Sequence, residues 1–104
     1  METMTNPKFS PGQLVHHRKY DYRGAVVDVD STFAGTETWY ELVAVSRPPK
    51  DRPWYHVLVD GAQHMTYVAE QHLEPDVSGE QIEHPALGRF FDRFIDGRYR
   101  RRMH

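Results

Sequence analysis

The 104-residue chain contains no cysteine, so disulfide bonds and thiolate chemistry are both excluded. It has no apolar run near the roughly 20 residues that a helix needs to cross a bilayer. Residues 1–10 lack the basic start and apolar centre of a secretory signal. We therefore expect a soluble protein of the reduced cytoplasm with no membrane partner. The length and the ordinary apolar content predict one domain with a modest core.

Charge is unevenly distributed, although the formal net charge is only -2. Residues 25–46 carry four carboxylates and residues 61–85 carry five, and neither segment contains a lysine or an arginine. Residues 86–104 carry six arginines against two aspartates, and residues 1–24 are also basic. Basic ends therefore flank an acidic middle. The pattern allows a phosphate-binding face but excludes a chain that is cationic over its whole surface.

Short apolar runs bounded by turn residues predict that the chain is mostly β-strand. The first strand is expected at Gln13–His17 and the second at Ala25–Asp30. In a regular second strand, Val27 and Val29 would share one face and Val26 would lie on the other. These two strands are joined by a polar loop that carries aromatic residues.

The segment 53–75 is the most distinctive part of the sequence. Aromatic and β-branched residues precede and follow Asp60-Gly61, a reversal signal, and predict a hairpin followed by a third short strand. A single helical turn is expected from Ala69 to His72. Alternation would place Tyr55 and Val57 on one face of the hairpin, with Trp54 and His56 on the other.

Two helices are expected outside the strands. Thr38 and Glu41 have the spacing of a capping box and predict a short helix in the long connection before the hairpin. Pro85 suits a first helical position, and the apolar stripe Leu87, Phe90, Phe91 and Phe94 predicts an amphipathic helix that ends near Gly97.

About five short strands with little room for parallel crossovers predict an all-β fold, a small SH3-like antiparallel barrel. The expected organisation is a flexible N-terminus at residues 1–8, the barrel at 9–75, a linker and amphipathic helix at 76–97, and a basic tail at 98–104.

Two blocks of the sequence resemble the hemimethylated-DNA-binding domain family, also called YccV-like or HspQ-like. The first block is Gly12–His17 with Tyr22–Asp30. The second is Pro53–Val59, which reads PWYHVLV, with His64, Thr66–Glu70 (TYVAE) and Leu73. The resemblance spans residues 9–75 and implies an SH3-like barrel that is not an enzyme. It also implies binding to DNA methylated on one strand, a link to heat stress, and modulation of the cytoplasmic Lon protease. The stretch after Pro75 lies outside these motifs.

Residues in and beside the first loop are the leading DNA candidates, because arginine and lysine contacts to phosphates position a duplex. A second basic loop, after the predicted helix, could adjoin it. The candidates are His16, His17, Arg18, Lys19, Tyr22, Arg23, Arg47, Lys50 and Arg52. Ordinary solvated loops explain the same residues, so both interpretations stay open.

The C-terminal arginines are further candidates for phosphate contacts, which would make binding depend on salt. They are Arg98, Arg100, Arg101 and Arg102. A flexible segment read by a protease, or a solubilising end, are the alternatives.

The aromatic residues of the hairpin have two interpretations. Trp54, Tyr55, His56 and Tyr67 could stack on bases, or they could fill the core and pair across the hairpin. We favour the core, because a small barrel packs on both sides of its strands.

Metal and catalytic sites are not indicated. The seven histidines lack ligand spacing, and no nucleophile elbow or phosphate-binding glycine loop is present. We therefore expect no cofactor, no metal and no enzymatic activity.

The leading functional hypothesis is a non-enzymatic DNA-binding regulator of the hemimethylated-DNA-binding type that acts under stress. The alternative is an adaptor that modulates the substrate choice of Lon, which the acidic middle and the negative net charge favour. Homo-oligomerisation through the Phe-rich helix is a third hypothesis.

Overall fold

The computed structural model describes residues 6–101, and strands form most of its regular structure. The strands are β1 Leu14–His17, β2 Arg23–Asp30, β3 Trp54–Val59, β4 Met65–Ala69, β5 Leu73–Pro75, β6 Phe91–Ile95 and β7 Arg98–Arg101. The helices are α1 Glu37–Val43, α2 Leu87–Phe90 and one 3₁₀ turn at Glu70–His72. In the described range, neither α-helix has the length or the apolar content needed to traverse a bilayer.

Strands β1 to β5 form one antiparallel sheet in the order β4-β3-β2-β1-β5. The two edge strands, β4 and β5, are joined only by the 3₁₀ turn Glu70–His72. The chain from Ala69 to Leu73 can span at most about 14 Å, whereas the edges of a flat five-stranded sheet would lie about 19 Å apart. The sheet is therefore curled. The all-β class and the predicted hairpin and helical turn are confirmed.

The concave side of the curled sheet holds a core to which all five strands contribute. Its buried residues are Phe9, Val15, Val26, Tyr55, Val57, Val68 and Leu73. Phe9 brings the N-terminal segment into this core, and the backbone N–H of Lys8 donates to the Glu70 carboxylate at 2.9 Å. The predicted flexible segment 1–8 is thus anchored at its last residue, and residues 1–5 lie outside the described range.

The convex side is covered at both ends of β3. Near Leu58, a second cluster packs against strands β6 and β7, and includes Leu14, Ala25, Val27, Ile82, Phe91 and Tyr99. Near Trp54, a third cluster packs against α1 through Tyr40, with Phe33 and Trp39 at its margin. Side chains are therefore buried on both faces of β3, as predicted for a small barrel.

The alternation predicted for β2 is wrong because the strand contains a β-bulge. The register with β3 shifts between Val26 and Asp28, and the extra residue Val27 lies in the convex cluster, opposite to Val26 as predicted. Val29 then packs with Val26 on the concave side. A bulge inserts one residue and reverses the alternation beyond it.

The predicted helix Pro85–Gly97 is also wrong, apart from the single turn α2. The chain leaves the helix at Phe91 and forms the hairpin β6–β7, and the predicted tail supplies β7. Asp96 and Gly97 both have positive φ, at 54° and 78°, as a two-residue type I′ hairpin turn requires. The apolar stripe packs on the barrel, with Phe91 buried and Phe94 half-buried.

Helix α1 is confirmed, but its cap differs from the prediction. The hydroxyl of Thr36, not that of Thr38, accepts from the backbone N–H of Trp39 at 3.1 Å. This bond fixes the start of the helix and the position of Trp39.

Candidate nucleic-acid interface

An open cleft of about 390 Å³ lies beside the edge strand β4. Its walls are the end of β1 with the β1–β2 loop, the segment 43–48 at the end of α1, and β4 itself. Two side-chain hydrogen bonds join these walls: Tyr22 to Thr66 at 2.8 Å and Ser46 to His72 at 2.9 Å. The barrel therefore brings together residues that are far apart in the sequence.

Stacked rings form the wall from the β1–β2 loop. The imidazole of His17 stacks on Tyr20 and on Tyr22, with ring centroids 4.8 and 5.0 Å apart. His72 stacks on the same imidazole at 5.6 Å. Tyr20 is 63% exposed at the mouth of the cleft, so part of its aromatic surface is free to contact a ligand.

His17 is held neutral and in one tautomer. Burial lowers its pKa to about 4, with smaller contributions from nearby positive charge. Its Nδ1 accepts the backbone N–H groups of Lys19 and Tyr20 at 3.1 and 3.0 Å, which places the ring proton on Nε2. The Nε2 atom has no partner among residues 6–101, and no fully buried side-chain polar atom there is unpartnered. This N–H donor is therefore accessible to solvent, and His17 is one of the residues that line the cleft.

The second aromatic wall comes from α1 and β4. Trp39 and Tyr67 line the cleft with their ring centroids 5.7 Å apart in an edge-to-face arrangement. The hydroxyl of Tyr67 donates to Asp30 at 2.7 Å and accepts from the backbone N–H of Ala34. Burial and the Asp30 carboxylate raise the pKa of Tyr67 to about 12, so the ring is fixed and neutral.

Within residues 6–101, no carboxylate lines the cleft, although the chain carries a net negative charge. Lys19 is the cation among the described lining residues, and Arg18 and Arg47 are exposed neighbours of lining residues. The apolar side chains of Val43 and Met65 complete the surface. The described lining is thus aromatic and apolar with one lysine, and its exposed charged neighbours in the sequence are the two arginines and Asp21, which contacts His16 at 2.6 Å.

The candidates in the first loop divide into two groups. His17, Lys19 and Tyr22 line the cleft, and Arg18 lies beside it, where its Nε–H donates to the Leu73 carbonyl at 3.4 Å. His16 is absent from the lining, because its two ring nitrogens contact Asp21 at 2.6 Å and Glu74 at 2.8 Å. These hydrogen bonds raise the pKa of His16.

Arg23 has a structural environment. Its guanidinium contacts Asp76 at 3.0 Å and Asp60 at 3.3 Å, and donates to the Ser78 hydroxyl and the Glu80 carbonyl. The carboxylate of Asp76 raises the pKa of Arg23. Arg23 therefore joins the linker after β5 to the barrel, and its donors are already occupied.

The second basic loop does not form one patch with the first. Arg47 is next to the lining residues Ser46 and Pro48, whereas Lys50 pairs with Glu37 at 2.5 Å and lies over the Tyr40 ring. Arg52 lines a separate, smaller pocket beside Glu70.

The predicted tail arginines belong to the hairpin. Arg98 donates to the hydroxyl of Ser10 at 2.6 Å and to the Pro11 carbonyl at 3.0 Å. Arg100 and Arg101 are exposed on β7, where Arg100 lies opposite Arg93. Arg102 lies outside the described residues.

The aromatic residues of the 53–75 segment have different positions. Trp54 and Tyr55 are almost completely buried, which confirms their assignment to the core. His56 contacts Asp30 at 3.2 Å, as expected for a hydrogen-bonded residue of the fold. Tyr67 is half-buried and lines the cleft.

Sequence reasoning missed three residues of the cleft: Tyr20, Trp39 and His72. One signal was available for Trp39, because adjacent helix positions point in different directions and Trp39 and Tyr40 would not face the core together; the structure buries only Tyr40. Within residues 6–101, no group of three histidine or carboxylate side chains is arranged to hold a metal ion.

Taken together, these elements form a small all-β domain that carries an open aromatic cleft. Residues 7–98 match the model of a family described as hemimethylated DNA-binding protein YccV like. The chain belongs to this family. The match continues well past Pro75, so the expectation that the C-terminal region lies outside the family pattern is wrong for residues 76–98.

Proposed function

We propose that this protein is a non-enzymatic, cytoplasmic DNA-binding protein that recognises hemimethylated duplexes through the cleft. The observation that carries the proposal is an open aromatic cleft whose described lining has a lysine and no carboxylate, in a chain of net charge -2. Aromatic faces bind bases, and cations at the edge bind phosphates. Membership of the family supports the same conclusion.

The phosphate contacts are assigned to cations that have no carboxylate partner in the described part of the chain. Arg18, Lys19 and Arg47 meet this condition and lie in or beside the cleft wall. Three phosphate contacts would give a salt dependence of binding with a slope of about -2.7. Arg23 and His16 are left out because their polar atoms already contact carboxylates.

The acidic middle of the sequence is a weaker objection to DNA binding than its composition indicates. Asp60 and Asp76 pair with Arg23, and Glu74 pairs with His16. Glu70 is buried and accepts from the hydroxyl of Tyr55 at 2.5 Å. These carboxylates are bonded within the fold, and none of them lines the cleft.

The test is a titration of matched duplexes that carry a methyl group on neither strand, one strand or both. We expect the tightest binding with one methylated strand, and a weakened complex in Lys19→Ala. Lys50→Ala is the matched control, because Lys50 is also exposed but pairs with Glu37 away from the cleft. Equal and negligible binding of all three duplexes at moderate salt would contradict the proposal.

A second candidate function is that of a stress-linked adaptor for the Lon protease. It is favoured by the apolar side chains of Leu42, Val43 and Val45, which are 75%, 54% and 64% exposed. Exposed apolar residues grouped in this way are typical of protein-binding surfaces. Adding the protein to purified Lon with model substrates should change their order of degradation, and unchanged turnover at every concentration would exclude this role.

A further inference from the structure

We propose that the cleft receives the methylated base itself, unstacked from the duplex and unpaired from its partner. This inference rests on the proposed function, because it specifies how the cleft would bind DNA. In this arrangement, His17 donates a hydrogen bond to a base that contacts the rings of Tyr20, Trp39 and Tyr67.

The shape of the site favours an unstacked base over an intact duplex. The cleft has a volume of about 390 Å³, which is at the small end of the range for pockets that bind small molecules. A paired base exposes only its edges in the grooves. The aromatic rings of the cleft can be used as stacking surfaces only by a base whose face is free.

The charge of the lining decides between two ligands that aromatic clefts bind. Quaternary or methylated ammonium groups also bind among aromatic rings. Among the lining residues that the structure describes, such a cation would meet Lys19 and no carboxylate. A neutral base attached to an anionic backbone matches both the rings and the cations beside them, Arg18 and Arg47.

The donor on His17 supplies a specific contact. Its ring is 4% exposed, its tautomer is set by two backbone N–H groups, and its Nε2–H is free. Ring nitrogens and carbonyl oxygens of bases are acceptors for such a donor. The exposed apolar side chains of Val43, Val45 and Met65 provide contacts for a methyl group.

The first experiment compares a hemimethylated duplex with one in which the methylated base is mispaired. A mismatch removes part of the cost of extruding the base, so we expect about tenfold tighter binding. Trp39→Ala and Tyr20→Ala should reduce this gain, and Trp39→Phe should retain part of it. Far-UV circular dichroism establishes that each variant is folded.

The second experiment observes the imino proton of the methylated base pair by NMR in the saturated complex. We expect its signal to disappear with the wild-type protein and to remain with Trp39→Ala. A complex that forms, retains the imino signal and gains nothing from the mismatch would overturn base capture while leaving DNA binding intact. Absence of binding to every duplex would overturn both proposals.

Discussion

The two ends of β3 on the convex side of the sheet carry similar residues with different exposure. At the Leu58 end, the rings of Phe91 and Tyr99 are buried at 4% and 5% exposure against the barrel. At the Trp54 end, the rings of Trp39 and Tyr67 stay half-exposed in the cleft. Residue type alone does not distinguish a core from a candidate binding site. The exposed fraction of the aromatic rings distinguishes them.

The cations of the two regions differ less clearly than the rings, because Arg100 and Arg101 are exposed on β7 with no carboxylate partner among the described residues. Near the hairpin end, Arg98 is bonded to the turn at Ser10 and Pro11, and Arg23 is bonded to two carboxylates. At the cleft, Lys19 has no carboxylate partner in the part of the chain that the structure describes. Arg23 and Arg98 therefore serve stability, and Lys19 is available for a ligand.

The largest expected effect is that of Gly12→Ala, which should break the contact between the β6–β7 hairpin and the turn at Gly12. Gly12 has φ +95°, and an added Cβ would lie 2.1 Å from the carbonyl oxygen of Tyr99. Backbone strain and the steric clash together should lower the free energy of unfolding by about 3 kcal/mol or more. Urea denaturation measures this loss.

Gly61→Ala is the control for that variant. Gly61 also has a positive φ, +77°, but nothing lies within 4 Å of an added Cβ. It should lose only the conformational cost, about 1–2 kcal/mol. Equal losses in the two variants would show that the contact between the hairpin and the turn contributes little.

The next effect is a pH dependence that arises at the cleft. The pKa of His17 is lowered from 6.5 to about 4 in the fold, so the unfolded chain binds the proton first. The contribution of His17 to stability is therefore present above pH 6.5 and is lost as the pH falls towards 4, by about 3 kcal/mol in total. Chemical denaturation across this range measures the slope.

His17→Asn separates this slope from that of His16. The amide oxygen of asparagine can replace Nδ1 as an acceptor without titrating. The pKa of His16 is raised, so its contribution has the opposite sign and is lost as the pH rises. The contribution of His16 is the same in both proteins, so it should cancel when the unfolding free energy of the variant is subtracted from that of the wild type. If the difference in unfolding free energy between the wild type and His17→Asn is the same at pH 7 and at pH 4, then His17 is not neutral and buried in the fold.

The third effect concerns Arg23→Ala. Removing the guanidinium leaves Asp60 and Asp76 without their cation and frees the linker after β5. We expect a loss of about 2 kcal/mol in the free energy of unfolding and, for the folded protein, unchanged affinity for DNA. A loss of affinity for DNA without a loss of stability would show that Arg23 contacts DNA and does not stabilise the fold.

The smallest expected effect is on the salt dependence of DNA binding. Lys19→Gln should reduce the magnitude of the slope of log K against log salt by about 1. Arg100→Gln, at the hairpin end, should leave it unchanged. An equal reduction in both variants would show that DNA contacts both ends of β3, as the sequence prediction for the C-terminal arginines requires.

The fold was largely predictable from the sequence. The main wrong prediction was the helix Pro85–Gly97, and a signal against it was present in the sequence. Asp60-Gly61 was interpreted as a hairpin turn, whereas Asp96-Gly97 was assigned to the end of a helix. The phenylalanine stripe fits a helical period, but the second Asp-Gly also reverses the chain, as a two-residue turn, whereas the first begins the loop 60–64. The bulge at Val27 had no comparable local signal, because it depends on the register with β3.

The cleft was only partly predictable. His17, Lys19 and Tyr22 were identified from their loop, but Tyr20, Trp39 and Tyr67 meet only because the sheet curls. The environment of Arg23 depends on Asp60 and Asp76, which are 37 and 53 residues away in the sequence. Such long-range contacts determine which cations are free, and composition does not reveal them.

The most direct test of the cleft as the DNA-binding surface is a backbone amide chemical-shift map with a hemimethylated duplex. The account predicts that the large shifts fall on Tyr20, Ser46 and Met65, with little change at Arg93 and Arg100. Shifts concentrated on the β6–β7 hairpin, with the cleft amides unmoved, would contradict it.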